Sequence, residues 1–256
     1  MLVDQRRNKI RKQVLSKGSV KISDLVQEFQ VSEETIRRDL GALEEEGLVK
    51  KNYGGAVLIE HFDQVPPVDK RQSVFFEEKN SIGKRAAEFV EEQQIVILDA
   101  GTTTWCVARH LRHLNDVTIV TNGLNVAEEC SKNDGASIYM VGSKLFKRAM
   151  SLVGPKAESD LQQYSANYVF LGTTGISIAK GFMTSDLYEA EVKRAMIKAG
   201  QKVVIVADHS KFHKQGLISF AGFDVVDYLI TSDQADPHIL EQIEELGVKV
   251  LVCPTR

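Results

Sequence analysis

Apolar positions in this chain first recur at helical spacing and later gather into short continuous runs. Ile10 and Val14 lie on the inner face of a segment from Asp4 to Lys17 that Gly18 stops. Leu25 and Phe29, four apart, predict a short second helix capped by Ser23, with Gln30 and Val31 as the turn after it. Ser32 caps a third helix running to about Glu46 and Gly47, with Glu33 and Glu34 at the positive end of its dipole. Residues at 100° intervals put Ile36, Leu40 and Leu43 in one stripe, and set Glu34, Arg38 and Gly41 opposite, flanked by Thr35, Arg37 and Ala42. Val20 to Ile22 reads as a short strand. LVKKNYGGAVLI reads as two more, joined at Asn52-Tyr53-Gly54-Gly55, where the glycines supply unusual backbone angles. The outline is a winged helix-turn-helix.

From His61 to Phe76 no period is visible, and Pro66-Pro67 forbids a continuous helix, so this stretch reads as a connection. A helix is predicted over Glu78 to Glu91. Apolar runs then follow at Ile95–Leu98, Val117–Val120, Ser137–Val141, Tyr168–Leu171, Val203–Val206, Tyr228–Ile230 and Val248–Val252, most of them separated by helical segments. Strands that are apolar on both faces, alternating with helices, predict a mostly parallel sheet covered on two sides. The expected organisation is a winged helix-turn-helix over 1–58, a connection over 59–77 and an α/β domain over 78–256.

Composition changes this picture little: 256 residues, 43% hydrophobic and 26% charged, suit a small globular domain followed by a larger one. The formal charge of −3 excludes a chain coated with nucleic acid, so DNA binding has to rest on local charge. Between Arg6 and Lys21 the chain carries Arg6, Arg7, Lys9, Arg11, Lys12, Lys17 and Lys21 with no acidic residue. Cys106, Cys130 and Cys253 are odd in number and widely spaced, which suggests reduced thiols in a cytoplasmic protein. No stretch is apolar for long enough to cross a membrane.

The second helix of a helix-turn-helix lies in the major groove of double-stranded DNA, where arginine reads guanine and neighbouring groups hold phosphates. That assigns Ser32, Glu34, Thr35, Arg37 and Arg38 to the groove, Lys50, Lys51, Asn52 and Tyr53 to the wing contact, and Arg6, Arg7 and Lys12 to the backbone. In the larger domain, ligands of an open parallel sheet bind beyond the carboxyl ends of the strands. There Gly101, Thr102, Thr103 and Thr104 sit between a strand and a helix start, an anion cradle of small hydroxyl residues and backbone N–H groups. The loops at Thr121-Asn122-Gly123, Gly142-Ser143-Lys144, Gly172-Thr173-Thr174-Gly175 and Asp208-His209-Ser210-Lys211 also end polar. His209 with His213, and Cys106 with His110, have no third ligand nearby, so neither pair predicts a metal, and no cofactor motif is present. Trp105 reads as a packing residue.

VSEETIRRDL followed by EEEGLVKKNYGGA resembles the N-terminal domain of DeoR/GlpR-type bacterial transcription regulators over roughly residues 5 to 57, with Tyr53 where the family usually has His. From about Glu78 onward, LDAGTTT, IVTNGL, VGPKA, FLGTTGI, GFMTSDLYEAEVKRAM and VADHSKF are similar to that family's sensor domain. The sensor domain in turn resembles ribose-5-phosphate isomerase and glucosamine-6-phosphate deaminase. The resemblance implies that Gly101 to Thr104 hold the phosphate of a phosphorylated sugar, with Lys211 as cationic partner and Asp208 beside it. Asp99, Asn122, Gly172 and Gly175 would line the sugar, with Glu189 and Lys193 at the rim. Gly142-Ser143 stands where many relatives have Gly-Gly, and Gly123 where Ser is common. The implied function is a repressor of a carbohydrate operon that acts as a homodimer or homotetramer and needs no cofactor. The alternatives are an isomerase or deaminase with a DNA-binding appendage, against which the loop GTTGIS lacks the expected acid, and a metabolite-binding module whose N-terminal domain makes only protein contacts.

Overall fold

Ile10, Val14, Leu25, Ile36, Leu40, Leu43 and Val49 pack into one apolar cluster from which solvent is almost wholly excluded, in a computed structural model that describes residues 3–45, 49–58 and 66–255. These form the interior of the first of two compact units, Met1–Pro66, the second being Pro67–Arg256. In the first unit, α1 (Val3–Lys17) ends at Gly18, whose φ of +72° is the left-handed turn glycine permits. It is followed by β1 (Ser19–Lys21), α2 (Ile22–Phe29), α3 (Glu33–Glu45), β2 (Val49–Asn52) and β3 (Gly55–Leu58). β3 pairs antiparallel with both β1 and β2. Gln30 takes the left-handed conformation (φ +53°) that turns the chain from α2 to α3. Ser32 caps α3 as expected, its Oγ accepting from the Thr35 N–H at 3.2 Å.

Three expectations are corrected here. Ser23 does not cap α2: the helix begins at Ile22, because the Ile22 side chain is buried and its N–H already donates to the Gly54 carbonyl of the wing turn at 2.9 Å. The wing glycines do not have positive φ; a Cβ on Gly55 would stand 2.0 Å from the Val20 carbonyl oxygen, so the requirement is close strand approach. Arg6 is not a free phosphate ligand. It is 6% exposed and its Nε lies 2.5 Å from buried Asp39 on α3, while the Nε of half-buried Arg7 meets the other Asp39 oxygen at 3.0 Å. The Lys12 side chain, the expected end of α3 near Gly47 and the start of the connection at His61 lie outside the described residues.

The second unit is built on a seven-stranded sheet, parallel throughout, in the order β15-β14-β12-β9-β4-β5-β6. The strands are β4 (Ile95–Leu98), β5 (Val117–Thr121), β6 (Ala136–Met140), β9 (Ala166–Leu171), β12 (Gly200–Val206), β14 (Tyr228–Ser232) and β15 (Lys249–Cys253). α5 (Phe76–Ala87), α6 (Thr102–His110) and α7 (Leu124–Cys130) cover one face; α8 (Pro155–Leu161), α9 (Leu187–Ala199) and α10 (Pro237–Glu245) cover the other. Both faces are therefore apolar, as the continuous runs require. The chain winds from β4 outward to β6, returns to lay β9 against the other side of β4, and continues outward to β15. Strand order reverses beside β4 and β9, which opens a crevice at their carboxyl ends.

Smaller elements ring that end. A short helix, α4 (Val68–Ser73), lies in the stretch expected to be irregular, and Phe75 (φ +53°) turns the chain from it into α5. β7 (Lys144–Phe146) and β8 (Ser151–Val153) form a hairpin, and β10 (Gly175–Ser177), β11 (Gly181–Thr184) and β13 (Ile218–Ala221) an antiparallel sheet. Among the described residues no helix is long and apolar enough to cross a membrane.

Replacing Asp39 by Ala strands Arg6 in the interior without its counter-charge, a change that typically costs about 3–5 kcal/mol. In Asp39→Ala, hydrogen exchange of the Ile36 and Leu40 amides is expected to accelerate, while amides of β4 and β9 keep wild-type protection. Unchanged exchange at Ile36 and Leu40 would show that the pair does not hold α1 to α3.

Candidate DNA-reading surface and effector site

Burial of Ile36, Leu40 and Leu43 points the other side of α3 outward, and that side is made of ion pairs. Arg37 donates to Glu33 through Nε (3.0 Å) and a terminal nitrogen (2.5 Å). Arg38 and Glu34 stand 3.8 Å apart, with side chains 76% and 85% exposed. Thr35 is engaged nearer the helix start, its Oγ1 lying 2.8 Å from the Ser32 Oγ. In the wing, Lys50 is exposed and Tyr53, at 98%, is the turn's tip. Lys51 leans back onto α3: Glu44 accepts its N–H at 2.8 Å and its ammonium at 3.0 Å, and these bonds, the backbone one first, hold the Glu44 carboxyl below its usual range. Asn52 closes the turn by accepting from the Gly54 N–H at 3.3 Å.

In the second unit the crevice is organised by Asp99, the residue after β4. One Asp99 oxygen accepts from the Gly172 N–H at 3.0 Å and from the Lys193 ammonium, which also donates to the Gly172 carbonyl at 2.9 Å. Lys193 is buried on α9, with the Phe220 ring 5.2 Å from its nitrogen. One turn earlier on α9, Glu189 accepts from Thr184 Oγ1 at 3.0 Å while its N–H is capped by Asp186. Burial pushes the Glu189 carboxyl up, against the pull of Lys193.

Asp208, after β12, is fully buried. Its Oδ1 accepts from the Ser210 N–H and hydroxyl, and its Oδ2 has no hydrogen-bond partner among the described residues; the ammonium groups of Lys79 and Lys211 lie 3.9 and 3.8 Å away. Burial opposes its ionisation, but Lys211, Lys79 and Ser210 together hold it well below the usual carboxylate range. Lys79 is itself buried and donates to the carbonyls of Arg71 (2.7 Å) and Val74 at the end of α4. Burial lowers its pKa to about 8, with Asp208 pulling the other way. Burial likewise lowers the Arg71 pKa, opposed by Glu189, Asp208 and Asp99, so this guanidinium from α4 lies within the electrostatic reach of all three carboxylates.

The threonine turn borders this cluster. Thr102, Thr103 and Thr104 form the buried first turn of α6, and Thr104 Oγ1 has no partner among the described residues. Asn122 is already spent on the fold, its Oδ1 accepting from the Ala100 N–H at 3.0 Å and its amide donating to the Leu152 carbonyl at 3.1 Å. Asn125 donates to the Gly101 carbonyl at 3.1 Å and has a buried Oδ1 without a partner among the described residues. Gly175 is a packing position, since a Cβ there would lie 2.1 Å from the Lys214 carbonyl oxygen.

The structure therefore gathers Asp99, Glu189, Lys193, Asp208 and Lys211 and adds Arg71 and Lys79, which the sequence reading left in a connection and an ordinary helix. In sequence the signals are the Lys70-Arg71 pair in a stretch without period and Lys79 beside Glu78 at the start of a predicted helix. Four cations face three carboxylates, one of them biased toward its neutral form. Such a site carries one to two excess positive charges and favours a multiply charged anion. His209 serves Glu78, its Nδ1 2.8 Å from both carboxylate oxygens, and Ser232 donates to the same group at 2.7 Å. Cys106 is a buried thiol pushed up to about 12 by burial, and Trp105 packs with Phe76 around Arg109.

Comparison with known proteins matches a family model to each part of the chain. The DeoR-like helix-turn-helix domain matches residues 6–62 and the DeoR C terminal sensor domain matches residues 75–233. The putative aga operon transcriptional repressor of Escherichia coli O157:H7 is 33% identical over 97% of this chain and 93% of its own length. The glycerol-3-phosphate regulon repressor of Escherichia coli K12 is 30% identical over 97% of this chain and 98% of its own. Among solved structures, ribose 5-phosphate isomerase A of Methanocaldococcus jannaschii aligns over 52% of this chain and 53% of its own at 13% identity, with a TM-score of 0.38. With both domains matched in order and relatives of this identity covering nearly the whole chain, the protein belongs to the DeoR family of helix-turn-helix transcriptional regulators.

Proposed function

We propose that this regulator represses a carbohydrate-catabolic operon and is released from operator double-stranded DNA by a phosphorylated sugar bound at the carboxyl ends of β4, β9 and β12. The observation that carries the reading is the positive excess of the Arg71, Lys79, Lys193, Lys211, Asp99, Glu189, Asp208 cluster beside the Gly101–Thr104 turn. A phosphate dianion suits the cations and the turn; the carboxylates and Asn125 Oδ1 suit sugar hydroxyls. The names of the aga operon and glycerol-3-phosphate regulon repressors point the same way.

Release requires that the effector bind the DNA-competent and DNA-incompetent arrangements unequally, and about 1–3 kcal/mol of coupling changes operator affinity roughly 5- to 150-fold. Arg71 stands on the first helix after Pro66-Pro67, and Lys79 holds that helix by its terminal carbonyls. An anion that engages both acts on the element from which the chain leads back to the DNA-binding domain. Two half-sites about one helical turn apart call for a homodimer or homotetramer. The reading keeps a DNA-binding domain over 1–58 and a sensor over 78–256, with the second part of the connection, α4 included, belonging to the second compact unit. An isomerase or deaminase is disfavoured because the Gly172–Gly175 loop holds no acid and Asp99 is committed to Lys193.

Fluorescence anisotropy with DNA from the gene's own upstream region, titrated with sugar phosphates and their unphosphorylated parents, tests this directly. Release by a phosphorylated sugar and not by its parent is expected; tight binding that no metabolite alters would overturn the sensor reading. Thr103→Val and Arg71→Gln are each expected to weaken the effector response at least tenfold while leaving operator affinity in its absence unchanged. A normal response in both variants would remove the phosphate from this site.

A bound anion favours protonated Lys79, whose pKa before binding is about 8. Effector binding is therefore expected to take up a proton above that pH. Affinity should change little from pH 7 to about 8 and fall by up to tenfold per unit above it, the sugar phosphate being largely dianionic throughout. Lys79→Met should flatten the profile; an identical pH dependence in that variant would show that another group titrates.

A further inference from the structure

We propose that Glu34 and Arg38 read the operator as a coupled pair, Glu34 selecting a cytosine and Arg38 a guanine about two base-pair steps apart. The inference rests on the DNA-binding role above and assigns the base chemistry of its reading face. The exposed side of the first two turns of α3 carries two carboxylates, Glu33 and Glu34, and two guanidiniums, Arg37 and Arg38, so it has no net charge with which to attract DNA in general. What distinguishes the two pairs is their geometry. Arg37 is tied to Glu33 by two hydrogen bonds and both are partly shielded, with side-chain exposures of 49% and 60%. Arg38 and Glu34 are the more exposed pair and are separated by 3.8 Å, beyond hydrogen-bond distance. Parting them costs little, because an exposed, loose ion pair is worth at most about 1 kcal/mol.

Once α3 enters the major groove, that pair has to be exchanged for base contacts. Arg38 finds two acceptors on guanine. Glu34 has a narrower choice, because it can only accept and the groove offers it just two donors, the amino groups of cytosine and adenine. Opposite any other base edge, or a phosphate, the carboxylate is desolvated against acceptors and repelled. The charge that would weaken non-specific binding thus becomes a filter. Cytosine is the carboxylate's usual partner, while adenine is matched bidentately by an amide. Four residues of helix rise by about 6 Å, close to two steps of 3.4 Å along a DNA strand, which sets the spacing. Thr35 cannot substitute without giving up its contact with the Ser32 hydroxyl.

Selection of binding sites from randomised DNA, run in parallel on the full-length wild type, Glu34→Ala, Glu34→Gln and Arg38→Ala, tests the assignment. Circular dichroism would confirm that each variant is folded. The wild type is expected to select a cytosine and a guanine about two steps apart in each half-site. Glu34→Ala should keep the guanine, lose about tenfold or more of discrimination at the cytosine, and bind random DNA more tightly. Glu34→Gln should move that position from cytosine to adenine. Arg38→Ala should lose the guanine alone. Identical base preferences in the wild type and both Glu34 variants would overturn the proposal while leaving operator binding intact. A wild type with no sequence preference would overturn operator recognition itself.

Discussion

The buried contact between Asp99 and Lys193 is the interaction on which the sensor unit depends. Two charges, one just after β4 and one in the middle of α9, have left water, and each would be strongly unfavourable alone. What makes the pair tenable is Gly172, whose N–H donates to Asp99 and whose carbonyl accepts from Lys193. The ladder between β4 and β9 continues into the same residues through the Asp99 N–H and the Phe170 carbonyl, 3.0 Å apart. Three segments distant in sequence are thus fixed at one point, the point where strand order reverses. A well-packed apolar triplet would hold them as firmly. A charged one also leaves a polar floor at the only place in a parallel sheet where backbone and side chains face an open crevice.

Around that floor the remaining charges are not balanced. Asp208 is flanked by Lys79 and Lys211, and Arg71 reaches the same carboxylates from α4. Burial keeps these cations from being fully hydrated, which is why the pKa of Lys79 falls to about 8 even with Asp208 nearby. An anion entering here replaces missing solvation, and the gain is larger than at a wet surface. The groups that gain include one on α4 and one that holds α4 by its carbonyls. In the proposed function, anion binding and the position of that helix would therefore be coupled by shared atoms, the physical location that linkage between two arrangements requires.

The seven strands of the large sheet and the recognition helix were legible because each is long enough to show its pattern: strands of four to seven residues that are mostly apolar, or a stripe at 36, 40 and 43. The threonine turn and Asp99 were legible because parallel sheets place ligands beyond strand ends. What escaped has a common cause. α4, six residues long, and β7, β8, β10, β11 and β13, of three or four, are too short to carry a period. Their positions are set by tertiary contacts such as the Val68 N–H to the Arg148 carbonyl. Arg71 and Lys79 were hidden with them. Arg6 was misread for a different reason: a basic run looks solvated until its acid appears, and Asp39 lies 33 positions away. Asn122 falls in the expected loop but serves the backbone there, a distinction that residue type cannot convey.

The two units use the same kinds of ion pair to opposite ends, and the difference lies in water. On α3, Glu34 and Arg38 remain hydrated and lose little on parting, which is what the proposed exchange for base contacts requires. At the crevice, Asp99 and Lys193 are dry and cannot part without exposing an uncompensated charge, so they define a fixed frame for the effector site proposed above. A regulator needs both behaviours. Its DNA surface has to trade partners rapidly among many near-cognate sequences, whereas its sensor has to hold one geometry long enough for a small anion to bias it. Moving either pair into the other's environment would remove what the proposed function asks of it: a buried pair on α3 could not release its arginine, and a hydrated floor would lose the low polarity that strengthens an anion's interaction with its surroundings.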